Sequence, residues 1–255
     1  MKLFLDVGNS RIKWRSTTMP ESRAVSSVEA LGKQWQDLPA ESAVSLYGCN
    51  VRGPEVAKEI DRLARQFFSS DVRWLSSQAQ AAGVRNAYAL PAQLGVDRWA
   101  AIVAANARNP GRACIVVDAG SAITVDAIDE RGQHRGGVIM PGLKMLFEGL
   151  GRAAQLQNIA ADRRERLVQE CQALASSTEA AIVSGVVFSM RGGVRMVIEQ
   201  QCRQINVKIH AIPIFVTGGD AHMLTFESLQ TQRLPDLVLD GVRLLSKLGL
   251  SESEQ

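Results

Sequence analysis

Asp6-Val7-Gly8-Asn9-Ser10 and Asp118-Ala119-Gly120-Ser121-Ala122 are two copies of one pattern: an aspartate, any residue, a glycine, a small polar residue and a small residue. Each follows an apolar run, Lys2 to Val7 and Ala113 to Val117, that reads as a buried strand entering a tight turn. Each is followed by a candidate return strand, Arg11 to Ser16 and Ala122 to Ile128. Strand, turn and strand recurring in both halves of a chain are the mark of an internal repeat. The clearest punctuation between the copies is Asn109-Pro110-Gly111. The chain therefore reads as two related α/β halves, 1–110 and 111–255.

Working outward, Val44 to Tyr47 and Val72 to Leu75 are further strand candidates. Gly53-Pro54 opens an amphipathic helix over Glu55 to Phe68, with Val56, Ile60, Leu63 and Phe67 on one face. In the second half, Asp129-Glu130-Arg131-Gly132 is a turn before a strand over Gly136 to Met140. Ile212 to Val216 is another, ending at Thr217-Gly218-Gly219-Asp220-Ala221 before an expected helix. Ser176-Ser177-Thr178-Glu179 fits a capping box with Ser176 as N-cap and Glu179 at the third helical position. The helix that follows carries Ile182, Gly185, Val186, Ser189 and Gly193, a face of small residues that permits close helix contact.

Composition narrows the function classes. The 255 residues are 46% hydrophobic and 22% charged, with a net charge of +3, as expected of a soluble globular protein. No Lys/Arg cluster forms a stripe suited to DNA or RNA, so no nucleic-acid partner is expected. The densest basic group, 162–166, is interrupted by acids and reads as a solvated helix face. Cys49, Cys114, Cys171 and Cys202 form no CxxC pair and no metal-ligand spacing, which fits a reduced cytoplasm, with Cys114 in the core. The opening apolar run is too short for a signal peptide, and no run approaches the length needed to cross a bilayer. The tail 251–255 reads as disordered. His134, His210 and His222 read as surface or turn residues, and Trp14, Trp35, Trp74 and Trp99 as packing residues.

The repeated turn has a definite chemistry. Its glycine lets backbone approach a ligand without a Cβ, and successive N–H groups can converge on phosphate oxygens. Asn9, Ser10, Ser121 and Thr124 add side-chain donors. An aspartate before such a turn repels phosphate unless a cation lies between them, so Asp6 and Asp118 are candidates for Mg²⁺, water-bridged Mg²⁺ or a monovalent ion. Lys13, on the same strand face as Arg11, adds positive charge.

Two aspartate turns plus the late Gly218-Gly219 turn resemble the nucleotide cleft of the acetate and sugar kinase, heat-shock ATPase and actin superfamily. That resemblance implies a duplicated ribonuclease H-like, two-lobed fold of mixed sheets flanked by helices, with ATP between the lobes.

The stretch Tyr88-Ala89-Leu90-Pro91-Ala92-Gln93-Leu94-Gly95-Val96-Asp97-Arg98-Trp99 narrows the reading. Pro91 and Gly95 punctuate it, and a helix follows over Asp97 to Asn106 with Ala100, Val103, Ala104 and Ala107 as its packed face. Asp97 falls in the first helical turn, where the dipole favours a carboxylate able to take a proton from an attacking alcohol. Arg98 has the fork geometry to pair with a substrate carboxylate.

Together, DVGNSRIKW, GVDRWAA, DAGSAITVD, GGVIMPGL and TGGD cover nearly the whole chain in order, and the sequence resembles the type III pantothenate kinases. The resemblance implies ATP-dependent phosphorylation of pantothenate to 4'-phosphopantothenate, the first step of coenzyme A biosynthesis, in the cytoplasm. By similarity, Asp6, Val7, Gly8, Asn9, Ser10, Arg11, Ile12 and Lys13 form the first ATP segment, and Ser121 meets the ATP phosphates from the second. Tyr88, Gly95, Val96, Asp97 and Arg98 contact pantothenate, with Asp97 as proton acceptor. Asp118 corresponds to the ligand of a potassium or ammonium ion, and Thr178 to a substrate contact supplied by the partner subunit of a homodimer. Ser10 and Ser121 stand where many members have threonine and keep the hydroxyl. The alternatives are a kinase for another small alcohol and a nucleotide-binding accessory factor in transcription, which would not need Asp97.

Overall fold

A computed structural model describes residues 1–19, 21–38, 44–154, 166–224, 226 and 228–248. The run 162–166, apart from Arg166, and the tail 251–255 lie outside them. The chain forms two compact units: Met1–Cys114 with Ile128–Gly136 and Asp236–Gln255, and Ile115–Ala127 with Gly137–Pro235.

The first unit is built on a five-stranded sheet of order β3-β2-β1-β4-β5, comprising β1 (Lys2–Val7), β2 (Ile12–Ser16), β3 (Arg23–Val25), β4 (Ser45–Asn50) and β5 (Val72–Trp74). β2 runs antiparallel to β1, whereas β4 is parallel to it, with Asp6 opposite Lys13 on one side and Cys49 on the other. Parallel neighbours need a crossover, here α1 (Val28–Gln36) between β3 and β4. α2 (Pro54–Phe68) returns the chain to β5, with Pro54 in its first turn. Leu3, Leu5 and Val7 of β1 pack with Leu31 and Trp35 of α1 and Ile60 of α2. Because strand side chains alternate, Phe4 and Asp6 point to the opposite face, where Phe4 stacks on Tyr47 at 6.3 Å.

α3 (Val96–Arg108) and α6 (Leu237–Leu248) pack against each other and against this sheet. Asp240 of α6 sits between two guanidinium groups, 2.7 Å from Arg15 Nη2 and 2.5 Å from Arg108 Nη2. A short β6 (Gln80–Ala81) and β7 (Val84–Arg85) pair separately.

The second unit repeats the plan. Its sheet has the order β10-β9-β8-β11-β12, from β8 (Cys114–Ala119), β9 (Ala122–Ile128), β10 (His134–Pro141), β11 (Ile214–Thr217) and β12 (Thr231–Arg233). Numbered along the chain within each sheet, both orders are third-second-first-fourth-fifth, with the fourth and fifth strands parallel to the first. The strand hydrogen-bonding order thus carries the duplication that the two aspartate turns announce. α4 (Leu143–Ala154) and α5 (Thr178–Gln204) pack together here, and Gln201 Nε2 of α5 donates to Val125 O of β9 at 2.8 Å.

Several expectations are corrected. α5 is long and apolar enough by composition to cross a membrane; one side of it packs in the second unit, where Val183, Val186, Val187, Met190, Val194 and Ile198 are buried. Its N-cap is Ser177, not Ser176, with an extended backbone that lets Oγ accept from Ala180 N, so Glu179 is the second helical residue and not the third. The helix expected after Gly218-Gly219 is a 3₁₀ turn, Ala221–Met223. Ala107 is exposed, because α3 is buried on all sides over 98–106 and only its last residues, from 107, emerge. His134 is fully buried, and belongs to the site described next.

Candidate active site

The first aspartate turn joins β1 to β2. Asp6 is the penultimate residue of β1, Val7 is buried behind it, and Gly8 follows, its N–H donating to Arg11 O at 3.1 Å to close the turn. Asn9, Ser10 and Arg11 are exposed, and Ile12 re-enters the core. Lys13, opposite Asp6 in the strand pair, is a cation whose charge acts on it. Burial, then the charge of Asp97, push the Asp6 carboxyl up to about 6, against the lowering effects of Lys13 and of a Cys49 thiol 3.6 Å away. Cys49 itself is driven well above its ordinary value, first by burial and then by Asp6 and Asp97. Two carboxylates with one nearby lysine make a neighbourhood that favours a further cation. A Mg²⁺ ion keeping most of its water shell needs only one or two carboxylates plus phosphate, so Asp6 fits that role.

Asp97 reaches this neighbourhood from α3. It is the second residue of the helix, and its Oδ1 accepts from Arg98 N at 2.7 Å. The carboxylate folds back over the helix start so closely that a Cβ on Gly95 would stand 2.8 Å from Oδ1. A larger residue before Val96 would therefore push the carboxylate out of this position. Here it accepts from the Arg98 N–H, one of the helix-start donors with no intrahelical carbonyl to bond.

Arg98 is buried, and its Nη1 donates to the Tyr88 hydroxyl at 3.1 Å with the guanidinium 5.9 Å from the ring centroid. The other neighbour of that ring is His134, stacked at 6.3 Å and 15°. His134 Nδ1 accepts from Ala87 N at 3.4 Å, and Asn86 Oδ1 accepts from Tyr88 N at 3.0 Å. Tyr88 is thus held by an Asx turn and by ring contacts with both Arg98 and His134. The sequence reading missed His134, because a histidine in Gln133-His134-Arg135 looks solvated until the contact with Tyr88 is known. It also missed Arg52, whose Nε and Nη2 both donate to Gly8 O, at 3.0 and 2.7 Å.

The second unit presents the other turn by itself. Asp118 is the penultimate residue of β8, as Asp6 is of β1, and Gly120 N donates to Ala122 O at 3.1 Å. This loop has two residues, Gly120 and Ser121, against four in the first turn. Asp118 lies opposite Thr217 of β11. Gly218 follows with φ of +96°, and a Cβ there would collide with the Ala119 carbonyl and approach Asp118 Oδ1. The late glycine turn therefore packs directly on the second aspartate turn. Thr178 is the exposed first residue of α5.

A duplicated ribonuclease H-like fold carrying an aspartate-glycine turn in each unit is the fold of the actin-like ATPase and sugar kinase superfamily. Solved structures agree at the level of fold. A putative Baf family transcriptional activator from Campylobacter jejuni matches with a TM-score of 0.61 at 20% identity, over 98% of this chain and 99% of that one. A putative 2-dehydro-3-deoxygalactonokinase from Sinorhizobium meliloti matches with a TM-score of 0.57 at 13% identity, over 97% and 99%. The sequence then selects within the class: the type III pantothenate kinase family model matches residues 2–200. A type III pantothenate kinase from Nitrosococcus oceani is 31% identical over 97% of this chain and 94% of its own. The chain belongs to the type III pantothenate kinase family.

Proposed function

We propose that the chain phosphorylates pantothenate from ATP with Asp97 as the proton acceptor. The reaction is that of its family; the residue roles are our reading. The observation that carries it is the ionisable carboxylate of Asp97, seated on a helix N-terminus beside Asp6 and next to the buried Arg98.

In this reading Asp6 to Lys13 and Ser121 hold the ATP phosphates. Asp6 takes Mg²⁺ through water, and Asp118 takes a potassium or ammonium ion. When bound, these cations neutralise phosphate charge. Tyr88, Gly95, Val96 and Arg98 orient pantothenate, with Arg98 on its carboxylate. Asp97 accepts the proton of the terminal hydroxyl as the γ-phosphoryl group transfers in line. The catalytic contribution is then positioning and charge neutralisation. Thr178 meets the substrate of a partner subunit in a homodimer, a reading supported by the exposed Gly185, Phe188, Ser189, Gly192 and Met196 along α5. The expected location is the cytoplasm, with neither nucleic acid nor membrane as partner.

Release of ADP coupled to a readout, with pantothenate and with or without potassium, tests this reading. Pantothenate-dependent turnover stimulated by the ion is the expected result. ADP release with a sugar and none with pantothenate would favour a kinase for another alcohol. Nucleotide binding without turnover on any alcohol would favour the accessory-factor reading.

A further inference from the structure

We propose that Arg52 is the positioning residue of the first phosphate turn: by binding Gly8 O it fixes the Gly8–Asn9 peptide so that Asn9 N–H faces the nucleotide. The proposal rests on the ATP-binding reading above and adds a residue and a role to it.

The turn does not set this orientation alone. Reversing the Gly8–Asn9 peptide changes ψ of Gly8 and φ of Asn9, and glycine and asparagine are the residues that tolerate such conformations. Asn9 and Ser10 are exposed, and the backbone hydrogen bond closing the turn uses Gly8 N and Arg11 O, not the Gly8 carbonyl. Arg52 supplies the missing constraint with two donors, Nε at 3.0 Å and Nη2 at 2.7 Å. In a trans peptide, C=O and the following N–H point in opposite directions. A carbonyl held on Arg52 therefore turns Asn9 N–H away from it and keeps the carbonyl dipole from facing phosphate.

Arg52 is itself held in place. Val51 N donates to Val7 O at 3.1 Å, tying the end of β4 to the end of β1. Arg52 N donates to Asn50 Oδ1 at 2.9 Å, and Asn50 Nδ2 donates to Gly53 O at 2.7 Å. The backbone that carries Arg52 is thus fixed by a side-chain-closed turn, and the guanidinium is anchored at its far end on Gly8 O before any nucleotide arrives, which reduces the ordering cost of binding.

The test compares the full chain with Arg52→Gln and Arg52→Lys. ADP with Mg²⁺ is titrated by calorimetry, the Asn9 amide is followed by NMR, and KM is measured for each substrate. Glutamine removes the charge and the paired donors; its expected effect is about tenfold weaker ADP binding, a displaced Asn9 amide resonance and a matching rise in KM for ATP, with KM for pantothenate unchanged. Lysine keeps the charge without the fork, and about threefold weaker binding at an unaltered melting temperature is expected, so it carries the test if the glutamine variant does not fold. ADP affinity within twofold of the parent in a folded variant, or an unmoved Asn9 amide, would reduce Arg52 to a structural pin and overturn the proposal. Failure of the parent to bind Mg-ADP would overturn the ATP-binding reading and the proposal together. Normal ADP binding without turnover of pantothenate would remove only the substrate assignment and leave the role of Arg52 standing or falling on the calorimetry.

Discussion

Asp6, at the end of β1, holds its proton until about pH 6 because it is buried and, second, because the charge of Asp97 in the first turn of α3 bears on it. Between its ordinary 3.8 and that value the folded chain keeps a proton that the unfolded chain has released. The stability linked to Asp6 is therefore fully present below about pH 4 and is lost as pH rises through 6, by up to about 3 kcal/mol. The fold stores this cost where a cation on the phosphates would relieve it.

Asp6→Asn should raise the melting temperature of the ligand-free chain at pH 8 and weaken Mg-ADP binding by at least about tenfold. Parent protein at pH 6 should release protons when Mg-ADP binds, because the cation favours the carboxylate. Calorimetry in buffers of different ionisation enthalpy measures that release. An Asp6→Asn variant that is less stable than the parent at pH 8 would refute the account of Asp6 as a stored charge.

Asp97→Asn keeps an oxygen to accept from Arg98 N and so should preserve the start of α3. It removes the proposed proton acceptor, and kcat is expected to fall by about 10²–10⁴-fold. ADP affinity should change little, or rise slightly as the repulsion on Asp6 is relieved. Equal losses of turnover and ADP affinity in a folded protein would contradict the assigned role.

How far the sequence led can be read from particular residues. The paired patterns at Asp6 and Asp118 located both hairpins, and Ala122 to Ile128 is β9 to the residue, because alternation and a glycine turn are local signals. Asp97 and Arg98 were legible because a proline, a glycine and an apolar helix surround them. The return of α6 to the first unit was not: Leu237–Leu248 is an amphipathic helix whose pattern says what it buries, not where. Arg52 was silent because its partner Gly8 is 44 positions away. His134 was silent because its neighbours Gln133 and Arg135 are polar, while its burial and its stack on Tyr88 come from tertiary packing. Ser177 displaced Ser176 as the cap because adjacent serines give the same pattern, and only the backbone separates them.

Asp240 ties α6 to β2 and to the end of α3 through Arg15 and Arg108. Burial opposes its ionisation, yet hydrogen bonds from Arg15 and Arg108 more than offset it and hold the carboxyl below its ordinary value. Its contribution is thus present above the unfolded value and is lost as pH falls through the folded one. Removing the carboxylate leaves the charge of Arg15 buried without it, whereas Arg108 is half-exposed and can turn to water. Asp240→Asn should therefore cost about 3 kcal/mol in denaturant unfolding at pH 7, and less as the pH is lowered toward 3. An unchanged midpoint at pH 7 would show that the two arginines are satisfied by water.

The exposed side of α5 supplies the last prediction. Gly185, Phe188, Ser189, Gly192 and Met196 recur at three- and four-residue spacing, with Phe188 44% and Met196 55% exposed. Ile139 of β10 in the same unit is 65% exposed. Glycines let helix backbones approach, and an aromatic beside them supplies the apolar area that an interface centre needs. If a second copy covers this stripe, Phe188→Asp buries a charge against it and should weaken association by at least about 30-fold, a loss of about 2 kcal/mol. Light scattering at micromolar concentration should then find dimers for the parent and monomers for the variant. Because Thr178 begins the same helix, the monomer should also lose pantothenate turnover while still binding ADP. A parent that is monomeric at that concentration would exclude the dimer, and a monomeric variant with full turnover would exclude Thr178 as a contact made across it.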